Sequence, residues 1–143
     1  MSWGLAACDL LGDLAQLGSI GNSSETCKAG DACKCDGVGN CQKTCKGPEC
    51  AFECAGMGNC VLACPDGKCS ASSTATGNVT LNCEGGGCKL DSSGMGNVIM
   101  ICPGGDCELS CTGTGNCVLQ SCEDGCKATC SGSSVCSCAS GCN

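Results

Sequence analysis

The chain contains no histidine, no tyrosine and no arginine. Without histidine, the commonest general base and the commonest zinc ligand are both missing. Neither a G-x-S-x-G nucleophile elbow nor a phosphate-binding P-loop occurs, so an enzymatic role is not expected and no cofactor is implied. One Trp and one Phe in 143 residues rule out an aromatic core. They also leave no platform on which bases could stack, and all seven basic residues are Lys against 14 acids. A net charge of −7 with no basic patch argues against nucleic-acid binding and favours solubility. No run of 18 apolar residues is present, so no transmembrane helix is expected. No signal peptide is visible, in keeping with a mature or trimmed chain.

What is abundant is cysteine, with 23 residues, and glycine, with 24. Cysteine at that density marks a disulfide scaffold and points to an oxidising compartment, secreted or extracellular.

The chain is a repeat. Gly-Asn pairs fall at 21–22, 39–40, 58–59, 77–78, 96–97 and 115–116. Taking each Asn as position 1, coils begin at Asn22, Asn40, Asn59, Asn78, Asn97 and Asn116, and a partial one begins at Val135. Cysteines favour positions 2, 6, 11 and 15. Position 4 is large and aliphatic in Leu62, Leu81, Met100 and Leu119, and position 13 is Phe52, Ala71, Leu90, Leu109 and Ala128. Small or apolar residues at 2, 4, 6 and at 11, 13, 15 give the period of two that marks a strand with one buried face. Turn clusters such as KGPE, PDGK, EGGG and GMGN separate the strands. The expected fold is all-β: a two-sided, disulfide-stapled β-solenoid of about six 19-residue coils over residues 21–143. The Gly-Asn column fits a turn that needs positive φ, and stacked Asn side chains are expected to form a ladder.

The repeat also tests cysteine pairing from within. Position 15 of one coil and position 2 of the next are Cys35/Cys41, Cys54/Cys60, Ser73/Val79, Ser92/Val98, Cys111/Cys117 and Cys130/Cys136. Both members are Cys or neither is. Pairing positions 2 and 15 within one coil would leave Cys60 opposite Ser73. The bonds therefore close across the GxGN turn. A second set closes the opposite turn: Cys45/Cys50, Cys64/Cys69, Cys83/Cys88 and Cys102/Cys107, with Cys27/Cys33, Cys122/Cys126 and Cys138/Cys142 at slightly altered spacing. These eleven bonds leave only Cys8, either free or intermolecular. Each short loop contributes about 2 kcal/mol. The competing reading is a metal–thiolate cluster, for which CKC (33–35) and CSC (136–138) have suitable spacing. The strand-period alternation, the pairwise losses and the lack of histidine speak against it.

Residues 1–20 lack the repeat. Trp3, Ala7, Leu10, Leu11, Leu14 and Leu17 share one helical face and Gly18 suits a C-terminal cap, so an N-terminal helix is expected to cover the open end of the solenoid. Leu5-Ala6-Ala7-Cys8 resembles a bacterial lipobox, which would imply a lipid-anchored surface form through Cys8.

On the first strand of each coil, outward positions 3 and 5 are Gln42/Thr44, Val61/Ala63, Thr80/Asn82, Ile99/Ile101 and Val118/Gln120. This flat, partly apolar strip from Val61 to Gln120 is the expected interaction face. Positions 12 and 14 of the second strand are polar and charged. The acids Glu49, Asp66, Glu84, Asp106, Glu123 and Asp124 gather near the second turn without a regular column, which reads as a solvated edge rather than a calcium site. Asn22-Ser-Ser and Asn78-Val-Thr are glycosylation sequons by pattern, and a place in the turn ladder is expected to leave them unmodified.

A small-coil β-solenoid with internal cystines and one flat face resembles the hyperactive insect antifreeze proteins, over residues 22–143. The GxGNC repeats also resemble those of Cys-rich secreted repeat proteins. The antifreeze resemblance implies ice binding, although the Thr-x-Thr rows of that family are missing from the face that reads QT, VA, TN, II, VQ. The leading expectation is a rigid extracellular structural or interaction module. Its partner would be a second copy or another extracellular surface.

Overall fold

The structure is a computed structural model and describes residues 23–138. The expected N-terminal helix, Cys8, Asn22 and Cys142 lie outside those residues.

Thirteen strands alternate between two sheets. They are β1 (Ser23–Lys28), β2 (Ala32–Cys35), β3 (Cys41–Lys46), β4 (Ala51–Cys54), β5 (Cys60–Ala63), β6 (Ser70–Ser73), β7 (Val79–Asn82), β8 (Lys89–Ser92), β9 (Val98–Ile101), β10 (Glu108–Cys111), β11 (Thr114–Gln120), β12 (Lys127–Cys130) and β13 (Ser133–Cys138). Odd-numbered strands form a seven-stranded sheet and even-numbered strands a six-stranded sheet, both in strict sequence order. All pairings are parallel. Residues 19 apart face each other, as in Cys60↔Val79 and Leu62↔Leu81. Between β1 and β3 the offset is 18, as in Ser23↔Cys41, which accounts for the shorter first interval between Gly-Asn pairs. The chain is thus an all-β, two-sheet parallel solenoid of about six turns. The strand of the opposite sheet serves as the crossover that parallel pairing requires.

Alternation decides which side chains go in. Leu62, Leu81, Met100 and Leu119 from the odd sheet and Phe52, Leu90 and Leu109 from the even sheet are buried. Each stabilises the fold by about 1.5–3 kcal/mol relative to exposure. Cystines flank this aliphatic stripe at both edges. Nearly every buried residue is therefore Cys, Leu, Val, Ala or Met, and the lack of aromatics has no cost here because the two sheets enclose a narrow core.

The two turns differ. At the GxGN turn, Gly39, Gly58, Gly96 and Gly115 take φ of 114°, 121°, 118° and 105°. The Asn that follows each is not among the positive-φ residues, so glycine alone carries the conformation that the sequence pattern assigned to both. A Cβ on Gly58 would also collide with the carbonyl of Gly39 one turn below, so this column needs glycine for space as well as for φ. At the opposite turn Glu49, Lys68 and Asp106 are left-handed at 69°, 62° and 58°, matching Gly87 and Gly125, both at 73°.

Candidate functional site

The cystines form two columns. Ten pairs are joined among the described residues: Cys27–Cys33, Cys35–Cys41, Cys45–Cys50, Cys54–Cys60, Cys64–Cys69, Cys83–Cys88, Cys102–Cys107, Cys111–Cys117, Cys122–Cys126 and Cys130–Cys136. Their Cα atoms lie 5.6–6.6 Å apart, within ordinary disulfide reach. Cys138 is also disulfide-bonded. Stacking brings sulfurs of neighbouring turns together: Cys35, Cys54 and Cys60 form one group within 4.8 Å, and Cys45, Cys64 and Cys69 form another. These sulfurs are held in cystines, and a metal ligand must be a thiolate.

The column at the GxGN edge is interrupted for two turns. Ser73 and Val79 are buried there, as are Ser92 and Val98. Ala75, also buried, takes the place of the Gly56 and Gly94 of neighbouring turns, and its N–H donates to the Ser73 Oγ at 3.3 Å. The Ser-Val pair thus replaces a covalent staple with a small polar contact and a branched apolar side chain.

Outside this column the asparagines stack. The N–H groups of Asn59, Asn78, Asn97 and Asn116 donate to the Oδ1 of Asn40, Asn59, Asn78 and Asn97, at 3.1, 3.0, 2.9 and 3.0 Å. Each asparagine satisfies a backbone donor of the next turn, at about 1 kcal/mol per bond. The column ties successive turns together.

One buried charge breaks the core pattern. Lys43 occupies position 4, where later coils have Leu or Met, and is 6% exposed. It pairs with Glu25, the residue opposite it in register, whose side chain remains 66% exposed. Sequence reasoning missed this pair. The signal was available, since the only charged residues at position 4 stand next to each other in the stack and have opposite sign.

Both outer faces are regular. On the seven-stranded sheet, Ala63, Thr80, Asn82, Ile99, Ile101 and Val118 are half-buried, while Val61 and Gln120 are exposed. No charged residue interrupts that strip from Gln42 to Gln120. From the six-stranded sheet, outward alternation continues past the strands around the GxGN edge to Thr114 and Ser133, which already belong to β11 and β13, because rung-to-rung bonds continue there: Ser93 N–H to Ser73 O at 2.9 Å, Thr112 N–H to Ser92 O at 2.8 Å, and Thr114 N–H to Gly94 O at 3.2 Å. Three columns result. Below them, in the first two turns, the same positions hold Lys34 and Glu53, Asp36 and Ala55, and Val38 and Met57; over the next four turns they read Ser72, Asp91, Ser110, Thr129; then Thr74, Ser93, Thr112, Ser131; then Thr76, Met95, Thr114, Ser133. In those four turns all but Asp91 and Met95 carry hydroxyls, and all but the half-buried Ser110 are exposed. Sequence reasoning stopped at position 14 because positions 16 and 18 read as turn. Extending the period of two by four residues would have found the array. The same edge exposes Val38 at 51%, Met57 at 58% and Met95 at 57%.

No protein-family model, no curated protein and no solved structure matches this chain. Among the described residues, no helix is long and apolar enough to cross a membrane.

Proposed function

We propose that this chain is a rigid, non-enzymatic extracellular module that acts by presenting a flat sheet face, and that it self-associates through the strip from Val61 to Gln120. The observation that carries this reading is the lack of charge on that face in a chain of net charge −7. Two copies repel one another everywhere except where charge is missing. Four rungs at about 4.8 Å and four residues at about 3.3 Å give roughly 250 Å² per copy. The total of about 500 Å² is well below the roughly 1,200 Å² of a stable interface, so association is weak and concentration-dependent. Sedimentation across a concentration series tests it. Ile99→Lys is expected to abolish the larger species. A wild-type monomer at every concentration refutes self-association.

A second reading, ice binding, is favoured by the hydroxyl columns along the GxGN edge. Their repeat is about 4.8 Å along the stack and about 6.7 Å along the chain, held by rung-to-rung backbone hydrogen bonds. Thermal hysteresis lost on Thr112→Lys supports this reading, and its absence in the wild type rejects it.

A further inference from the structure

Asn78-Val79-Thr80 is the only Asn-x-Ser/Thr sequence among the described residues. The other ladder asparagines are followed by Cys-Gln, Cys-Val, Val-Ile and Cys-Val. The Asn78 side chain is exposed, and its Oδ1 accepts from the Asn97 N–H at 2.9 Å. Its own N–H donates to the Asn59 Oδ1 at 3.0 Å. The ladder therefore uses one atom of the side-chain amide and leaves Nδ2 without a hydrogen bond to the described residues. An N-linked sugar is attached at Nδ2 and preserves the carbonyl oxygen as an acceptor. Membership in the ladder, expected from sequence to protect Asn78, is compatible with modification.

We infer that Asn78 is an N-glycosylation site, and that the missing cystine in its turn is what makes it one. In the step, Nδ2 attacks C1 of an oligosaccharide carried on a polyprenyl diphosphate. The C1–O bond breaks, the diphosphate leaves, and the Nδ2 proton passes to the transferase. Transfer requires an extended acceptor. Where Cys54–Cys60 closes the turn across six residues, Asn59 is tied beside the bond. Between Ser73 and Val79 no such closure is available, so the sequon stays extensible until the sheets assemble. The first sugar would stand beside Thr76, between the exposed Met57 and Met95 of the adjoining turns, and would shield those two apolar side chains. The inference rests on the extracellular reading, since the co-reactant belongs to a secretory pathway.

The test is expression of the full chain, with Asn22→Gln to remove the other sequon, through a eukaryotic secretory host. Glycopeptide mass spectrometry at Asn78 and a free-thiol count are then read on the same secreted sample. The expected result is a glycan at Asn78, lost in Thr80→Val, which keeps the ladder intact, and at least twofold less occupied in Ser73→Cys/Val79→Cys. A sample with its cystines complete and Asn78 bare overturns the inference. More than one free thiol per chain in the secreted sample, beyond the unpaired Cys8, instead refutes the extracellular reading on which it rests. Equal occupancy with and without the restored cystine overturns the role given to the open turn.

Discussion

Restoring the missing staple is the most informative perturbation. Ser73 and Val79 stand where neighbouring turns have Cys54–Cys60 and Cys111–Cys117, with Cα separations of 6.4 and 6.6 Å. Ser73 is in register with Cys54, and Val79 with Cys60. The double variant Ser73→Cys/Val79→Cys is therefore expected to oxidise without moving the backbone. Closing a seven-residue loop removes about 2 kcal/mol of unfolded-chain entropy. Against that stands the lost hydrogen bond from the Ala75 N–H to the Ser73 Oγ, at about 1 kcal/mol. With the buried Val79 methyl groups also lost, at about 1 kcal/mol, the double variant should be about as stable as the wild type. Each single variant should be less stable by about 1 kcal/mol, because Ser73→Cys loses the hydrogen bond and Val79→Cys loses buried methyl groups. The coupling across the cycle is then about 2 kcal/mol, well above the error of additivity for independent sites. Guanidinium unfolding without reductant reads the stabilities, and a thiol count on the denatured protein reads the bond. Two extra thiols in the double variant, or a double variant weaker than both singles, would refute the argument that these positions form one edge pair.

Further outcomes follow from the same geometry. Lys43→Met is expected to raise stability by about 1 kcal/mol or more, since it removes a buried ammonium and leaves Glu25 in water. Glu25→Ala is expected to cost about 2 kcal/mol, less than for a fully buried pair because solvent reaches the Glu25 side; denaturant midpoints of the two variants check the opposite signs. At the second turn, Gly87→Ala should cost about 1–2 kcal/mol from φ alone, because a Cβ there meets nothing closer than the Lys68 Cγ at 3.5 Å. Gly87→Asn should recover part of that loss. Gly58→Ala, which meets the Gly39 backbone, should fail to fold, as read by expression and circular dichroism.

The solenoid was legible because inward positions repeat as a class. Leu62, Leu81, Met100 and Leu119 fall on one column and Phe52, Leu90 and Leu109 on another, and a period of two at a fixed 19-residue step leaves few other folds. The Asn ladder was legible too, because an invariant side chain at a turn has to meet its copy one rung away. Lys43 and Glu25 were hidden by the opposite effect: pattern reading discounts the residues that break the column, and here they compensate each other. The hydroxyl columns were missed because Gly-rich sequence near Thr74, Ser93 and Thr112 reads as turn, whereas interstrand hydrogen bonds keep those residues in the extended, alternating conformation. The positive φ was assigned to Gly and Asn jointly, but the ladder bond from each Asn N–H occupies that residue in a different conformation.

The central claim is that two columns of cystines, one across each turn, hold this stack together. Peptide mapping of the unreduced protein, with alkylation before digestion, tests it most directly. The account predicts Cys54 linked to Cys60 and Cys64 to Cys69, with the same two patterns repeated in every turn that carries the cysteines. Links between positions 2 and 15 of a single coil, such as Cys41 to Cys54, or alkylated thiols throughout both columns, would contradict it.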